Sequence, residues 1–168
     1  MGAESPPETG SNFYLGFLFL PARKREALKA VYSFCRVVDD IVDSGESDKE
    51  VSRRLLDFWV EEIEKLYAGR ATHAVARRLE PFVPEFRLPK EGFLALIEGM
   101  RMDLEQSGYE TSADLERYMF GAAGAVGLLS VEIFGYTRTS AADIRAYAVA
   151  MGNAFQLTNI LRDVGSDM

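Results

Sequence analysis

The chain has 168 residues, 48% of them hydrophobic, enough for one domain with its own core and too few for two. Its 26 acidic and 19 basic residues leave a net charge of -7, which excludes a sequence-independent nucleic-acid binder, because neutralising phosphates needs clustered lysine and arginine. An anionic ligand remains admissible where metal ions mediate the contact.

Residues 1–10 carry Pro, Gly, Ser and Glu without apolar periodicity and read as a flexible N-terminal arm. That opening lacks the basic and apolar regions of a secretory signal, and the single cysteine, Cys35, cannot form an internal disulfide. A cytoplasmic location is expected. The stretch FYLGFLFLPA at 13–22 is far below the ~20 residues that cross a bilayer, so no spanning segment is expected, and peripheral membrane contact stays open. Oligomeric state is not legible.

From Ser11 onward the long segments read as helix. Pro21 marks a helix start, and Val31, Cys35, Val38 and Val42 recur at three- and four-residue steps along one buried face until about Ser44, where Gly45 follows. A second amphipathic helix spans about Asp48 to Tyr67, with Leu55, Leu56, Trp59, Ile63 and Leu66 inward and Gly69 closing it. Residues from about 71 to 80 give another helix; Pro81, Pro84 and Pro89 then punctuate a connection. Three more helices follow, from Lys90 to about Ser107, from Ser112 to about Phe134, and from Ala141 to at least Asp163. No strand alternation or repeat is visible. The class is all-α, a helical bundle.

Within the first helix, FCRVVDDIVD sets three aspartates and an arginine in an apolar run. At about 100° per residue, Tyr32, Arg36, Asp39 and Asp43 share one narrow stripe between the apolar face and the solvent side, with Asp40 outside it. Carboxylates at i and i+4 repel when both are ionised, a cost that a shared divalent cation removes. The alternative is a solvated charged face, with Arg36 pairing Asp39 or Asp40 for a few tenths of a kcal/mol.

At the end of the chain, NAFQLTNILRDVGSDM repeats the pattern: Gly152, Gln156, Asn159, Asp163 and Asp167 lie on one stripe of a helix whose other residues, Met151, Phe155, Leu157, Ile160, Leu161 and Val164, are apolar. Such a stripe is expected to face a cavity or a bound group rather than solvent. A self-satisfied polar network is the other reading. Two D-x-x-x-D pairs facing each other across a bundle could hold several Mg²⁺ ions and, through them, a diphosphate.

These residues carry a resemblance to the squalene and phytoene synthases, the head-to-head prenyl-diphosphate synthases. Five stretches in order support it: SNFYLGFLFLP at 11–21, YSFCRVVDDIVD at 32–43, GMRMD at 99–103, YMFGAAGAVGLL at 118–129 and NAFQLTNILRDVGSD at 153–167. The resemblance implies an isoprenoid-synthase bundle around a central cavity, over 11–168, incomplete at the C-terminus because further helices are expected beyond Met168. It implies Asp39, Asp43, Asp163 and Asp167 as Mg²⁺ ligands, Gln156 and Asn159 as their companions, and Arg36 with Tyr32 as diphosphate contacts. One departure is Ser166, which stands where the family usually has an acid.

Tyr118 matches the tyrosine placed near the leaving diphosphate, where it could donate a hydrogen bond or relay a proton; a core tyrosine is the other reading. Phe13, Tyr14, Phe17 and Phe34 could line the cavity, where aromatic faces stabilise cations, or belong to the core. Asp103 is a further site candidate, or a surface or capping residue, and His73 is expected to be structural. The glycines and alanines of 121–127 read as close helix packing or as room for a prenyl tail. The expected reaction joins two farnesyl diphosphates into presqualene diphosphate, perhaps extended to squalene, with the geranylgeranyl route to phytoene as alternative and a non-catalytic relative as the competing class. No glycine-rich nucleotide fingerprint is visible, so NADPH use is not legible.

Overall fold

The computed structural model describes residues 19–43, 48–105 and 108–166, the last four of these as backbone only. The first helix, α1 (Ala22–Asp43), begins where the Arg25 amide donates to the Pro21 carbonyl at 3.0 Å, so proline stands at the start, where its missing N–H costs nothing. Of the expected face, Val31 and Val38 are buried and Cys35 and Val42 half-buried, and Leu28 and Phe34 are buried beside them. Next, α2 (Lys49–Tyr67) is capped by Asp48, whose carboxylate accepts from the Glu50 amide, and the chain leaves it through Gly69 at a φ of 66°. Leu56, Trp59, Ile63 and Leu66 are buried as expected, but Leu55 is 41% exposed. The seam of α2 runs through 52, 56, 59, 63 and 66, and Leu55 lies about 100° around the helix from Leu56.

The region from 71 to 89 is more helical than its prolines suggest. After α3 (Ala74–Leu79), a short α4 (Phe82–Phe86) forms around Pro84, whose lack of an N–H is harmless in a first turn. A buried carboxylate ties this region to α2. Glu62 is fully buried and accepts from the amides of Thr72 and His73 and from the Thr72 hydroxyl, with Lys65 Nζ at 3.5 Å. Burial works to raise the Glu62 pKa, but the bonds from His73 and Thr72, with Lys65, outweigh it and hold the carboxyl below its usual range. The imidazole of His73 caps α3, with Nδ1 accepting from the Val75 amide at 3.2 Å, and packs edge-on to Trp59 at 4.6 Å, a structural role as expected.

The second half comprises α5 (Lys90–Glu105), α6 (Ser112–Met119), a single π-helical turn (Phe120–Gly124), α7 (Ala125–Phe134) and α8 (Ala141–Ser166). The stretch 112–134 is one continuous rod, as its sequence suggests, widened at the π turn. Small residues let it lie close to both neighbours. A Cβ on Gly121 would come within 2.6 Å of the Gly99 Cα on α5, and one on Gly152 of α8 within 2.6 Å of the Ala123 carbonyl oxygen. The expectation of close packing holds here. By length and composition this rod could cross a bilayer, a property the sequence reading overlooked; in the fold it is held between α5 and α8.

The main core lies among α1, α2, α5 and α7. Phe34 sits at its centre, fully buried, with T-shaped contacts to Trp59 at 5.4 Å and to Phe93 at 5.2 Å. Such pairs each add about 0.5–1.5 kcal/mol beyond the area they bury.

Candidate functional site

On α1, packing turns the apolar face inward and leaves the acidic stripe at its margin. Asp39 is half-buried, and its pKa is raised by burial first and then by the charges of Asp43, Asp40 and Asp103, against the opposing pull of Arg36. The guanidinium of Arg36 reaches Asp39 at 3.4 Å and Asp40 at 2.9 Å, so the ion pair anticipated as the solvated alternative forms with both. Arg36 does not offset burial and the neighbouring carboxylates together, and the Asp39 shift stays upward. Tyr32 is 44% exposed, and Asp43 is exposed.

Across from this stripe stands Asp103, near the end of α5, its carboxyl pKa raised by burial and by the charge of Asp43. The sequence reading left it between a site candidate and a surface or capping residue; the fold brings it to the acidic group. Gly99 could have signalled this, because it lies one turn before Asp103 and meets Gly121, itself one turn after Tyr118. That close crossing of two backbones brings Asp103 and Tyr118 to the same place.

Tyr118, on α6, is half-buried, and its pKa is raised by burial and by the charges of Asp103 and Asp39, with the hydrogen bond from Gln156 acting the other way. Gln156 reaches over from α8, its amide Nε2 donating to the Tyr118 oxygen at 3.5 Å. Residues of α1, α5, α6 and α8 therefore converge on one region. Tyr109 is the participant that the sequence reading missed. It lies in the connection before α6, its ring stacked on Tyr118 at 4.8 Å, and nothing in local periodicity marks a loop residue of this kind.

Several expected residues fall elsewhere. Phe34 belongs to the core and not to a cavity wall, because three-residue spacing from Val31 carries it to the buried face. On α8, Gly152 is buried and Gln156 half-buried as the inward stripe requires, but Asn159 is exposed. The apolar residues of that helix are not all covered either: Phe155 is 59% and Leu161 66% exposed. Asp163 lies on α8, its side chain outside the described set, while Asp167, Phe13, Tyr14, Phe17 and the arm at 1–10 lie outside the described residues altogether.

The donors gathered here are carboxylate oxygens, the type that a hard cation selects. Burial and then the like charges of Asp43, Asp40 and Asp103 raise Asp39, and a divalent ion relieves that repulsion, so the donor chemistry fits Mg²⁺. Among the described residues, no three His, Cys, Asp or Glu side chains are gathered tightly enough to hold a metal by themselves.

Comparison with known proteins agrees with this arrangement. The sequence profile described as squalene/phytoene synthase matches residues 7–168. The presqualene diphosphate synthase of Zymomonas mobilis subsp. mobilis (strain ATCC 31821 / ZM4 / CP4) is 43% identical over 158 residues, covering 94% of this chain and 53% of that protein. A chloroplastic phytoene synthase of Narcissus pseudonarcissus is 39% identical over 163 residues, covering 95% of this chain and 38% of the relative. Among solved structures, squalene synthase HpnC from Alicyclobacillus acidocaldarius superposes with a TM-score of 0.80 at 35% identity, over 93% of this chain and 57% of that one. The chain thus spans about half, or less, of the length of these relatives.

Proposed function

The chain belongs to the squalene/phytoene synthase family, and we propose that it acts in joining two farnesyl diphosphates head to head into presqualene diphosphate. In that reaction one substrate loses diphosphate from its C1, the double bond of the other attacks the allylic cation, and loss of a proton closes the cyclopropane. The observation that carries this reading is the convergence of Asp39, Asp103, Tyr118 and Gln156 from four helices on one acidic, partly desolvated region.

When bound by Asp39 and Asp43 together with Asp163 and Asp167, Mg²⁺ supplies neutralisation of the diphosphate charge. The protein's own groups do the rest. Arg36, already oriented by Asp39 and Asp40, offers guanidinium protons to phosphate oxygens, and Tyr32 lies beside it on the same stripe. Gln156 and Asn159 continue the polar stripe of α8, and Phe13 is assigned to the prenyl chain. Tyr118 is placed to donate a hydrogen bond to the departing diphosphate, where such a donor stabilises developing negative charge.

A second reading, geranylgeranyl diphosphate carried to phytoene, is favoured by phytoene synthase relatives whose identity, 39%, is close to that of the presqualene enzyme, 43%. Extending the cyclopropyl product to squalene would need a reductant such as NADPH.

Incubation with farnesyl diphosphate and Mg²⁺, with and without EDTA, is the direct test. A thirty-carbon product that vanishes with EDTA and in Asp39→Asn is expected; no diphosphate release from folded protein would overturn the enzyme reading. The same variant carries a stability signature. Because the pKa of Asp39 is raised, its contribution is fully favourable below the unfolded value of about 3.9 and is lost as pH climbs through the folded pKa. At pH 7 in EDTA, Asp39→Asn should therefore be slightly more stable than the parent, by less than about 1 kcal/mol after solvent screening, as read by urea denaturation.

A further inference from the structure

The rod from Ser112 to Phe134 does not keep one hydrogen-bond ladder. Before its middle the Phe120 amide donates to the Glu116 carbonyl, four residues back, and at its end the Gly135 amide donates to the Val131 carbonyl in the same α pattern. Between them the Ala125 amide reaches the Phe120 carbonyl, five residues back. One extra residue is thus wound into the turn 120–124, and it rotates the two ends of the rod relative to each other by the ~100° that one residue subtends.

The consequence falls on Tyr118. In an unbroken α-helix, with Tyr118 at zero, Ala125 would lie at about 340° and Leu129 at about 20°, all three on one face. Ala125 and Leu129 are fully buried, and a Cβ on Gly92 of α5 would come within 2.9 Å of Leu129 Cγ, so that face is the core. Tyr118 would then be a core tyrosine, one of the two readings its sequence allowed. With the extra residue, Ala125 and Leu129 move to about 240° and 280°, and the phenol leaves the core face. It is half-buried, its oxygen 3.5 Å from Gln156 Nε2 on α8.

We propose that the π turn is a positioning element: its one extra residue turns Tyr118 out of the core and toward Gln156, while Ala125 and Leu129 stay packed inward. The turn is held from two sides by backbone. A Cβ on Gly99 of α5 would come within 2.8 Å of the Gly121 Cα, and one on Gly152 of α8 within 2.6 Å of the Ala123 carbonyl oxygen. Docking of two neighbouring helices therefore keeps the turn in register.

The catalytic consequence rests on the diphosphate reading of the site, in which Tyr118 donates to the leaving group; the rotation itself does not. Deletion of Ala122 removes the extra residue and should restore an α ladder with Tyr118 on the core face. The structural arm uses protein labelled with 3-fluorotyrosine, the ¹⁹F resonance of Tyr118 being identified by its loss in Tyr118→Phe. Gln156→Ala should shift that resonance in the parent and leave it unmoved in the deletion variant. An unmoved resonance in the parent, or an equal shift in both, overturns the proposal. If the deletion variant gives no cooperative urea transition, the parent decides alone: an NMR coupling through the hydrogen bond from the Ala125 nitrogen to the Phe120 carbonyl carbon is expected, and a coupling to the Gly121 carbonyl carbon in its place overturns the proposal.

The catalytic arm measures diphosphate release from farnesyl diphosphate with Mg²⁺. Tyr118→Phe and the deletion should each lower kcat about 100-fold, the size expected for one donor to a developing oxyanion. Tyr118→Phe should add nothing in the deletion background, because the phenol is already turned away; a further loss there overturns the proposal, as does a deletion variant within about 2-fold of the parent. A parent without turnover sinks the enzyme reading alone and leaves the resonance to decide this one.

Discussion

Helix α1 carries the first acidic stripe and α8 the polar stripe of Gly152 and Gln156, yet they are held in the fold by opposite means. On α1, large apolar side chains fill the core and the acidic stripe is left at the margin. On α8, the buried face is made of small and polar residues, Ala148, Gly152 and the half-buried Gln156, while Tyr147, Phe155 and Leu161 point outward at 59–66% exposure. The first helix is anchored by volume, the second by close approach. A polar stripe can therefore be presented from two different packing solutions, and apolar content alone does not tell which face of a helix is inside.

The contrast is sharpest where a large core residue is removed from α1. Phe34→Ala would leave a cavity between Trp59 and Phe93 and lose both edge contacts, at a cost of about 3–5 kcal/mol; urea denaturation should show the midpoint falling accordingly. On α8 the sensitive change runs the other way, from small to large. Gly152→Val would drive a Cβ to 2.6 Å from the Ala123 carbonyl, backbone that cannot simply swing aside, and should cost about 1–3 kcal/mol or more. Thermal melting compared with Gly108→Val, which meets nothing within 4 Å, separates this clash from a general effect of replacing glycine. If Gly152→Val were as mild as that control, the picture of α8 docking by backbone contact would be wrong.

The smallest effect is expected on the outer face of α8. Phe155→Ser removes a ring that is 59% exposed and should change stability by less than about 0.5 kcal/mol, while reducing binding of an apolar dye such as ANS. A large loss of stability would show that this ring is covered in the folded protein.

Much of this molecule was readable in its sequence. The spacing of Val31, Cys35, Val38 and Val42 placed α1, and prolines, glycines and caps put most helix ends within a few residues. The acidic stripe of α1 and the inward turn of Gln156 were legible because both follow from one helix at a time. Leu55 was misassigned, and Phe34 was left open between core and cavity wall, for a related reason: each choice required knowing which neighbour the helix packs against. Tyr109 was out of reach, since it lies in a connection without periodicity, and the choice between site and surface for Asp103 had to wait for a crossing of two backbones.

Local physics, then, is what the sequence by itself determined: the all-α class, the helix boundaries, the candidate carboxylates and the family resemblance. Only the tertiary structure decided that Gly99 and Gly121 touch, that Asp103 comes within electrostatic reach of the α1 stripe, and that Tyr109 stacks on Tyr118 while Gln156 reaches its oxygen. The reason is range. Helical periodicity fixes relations among residues three or four apart, whereas the site depends on where four separate helices cross, and those crossings are set by how closely their small residues allow the backbones to meet.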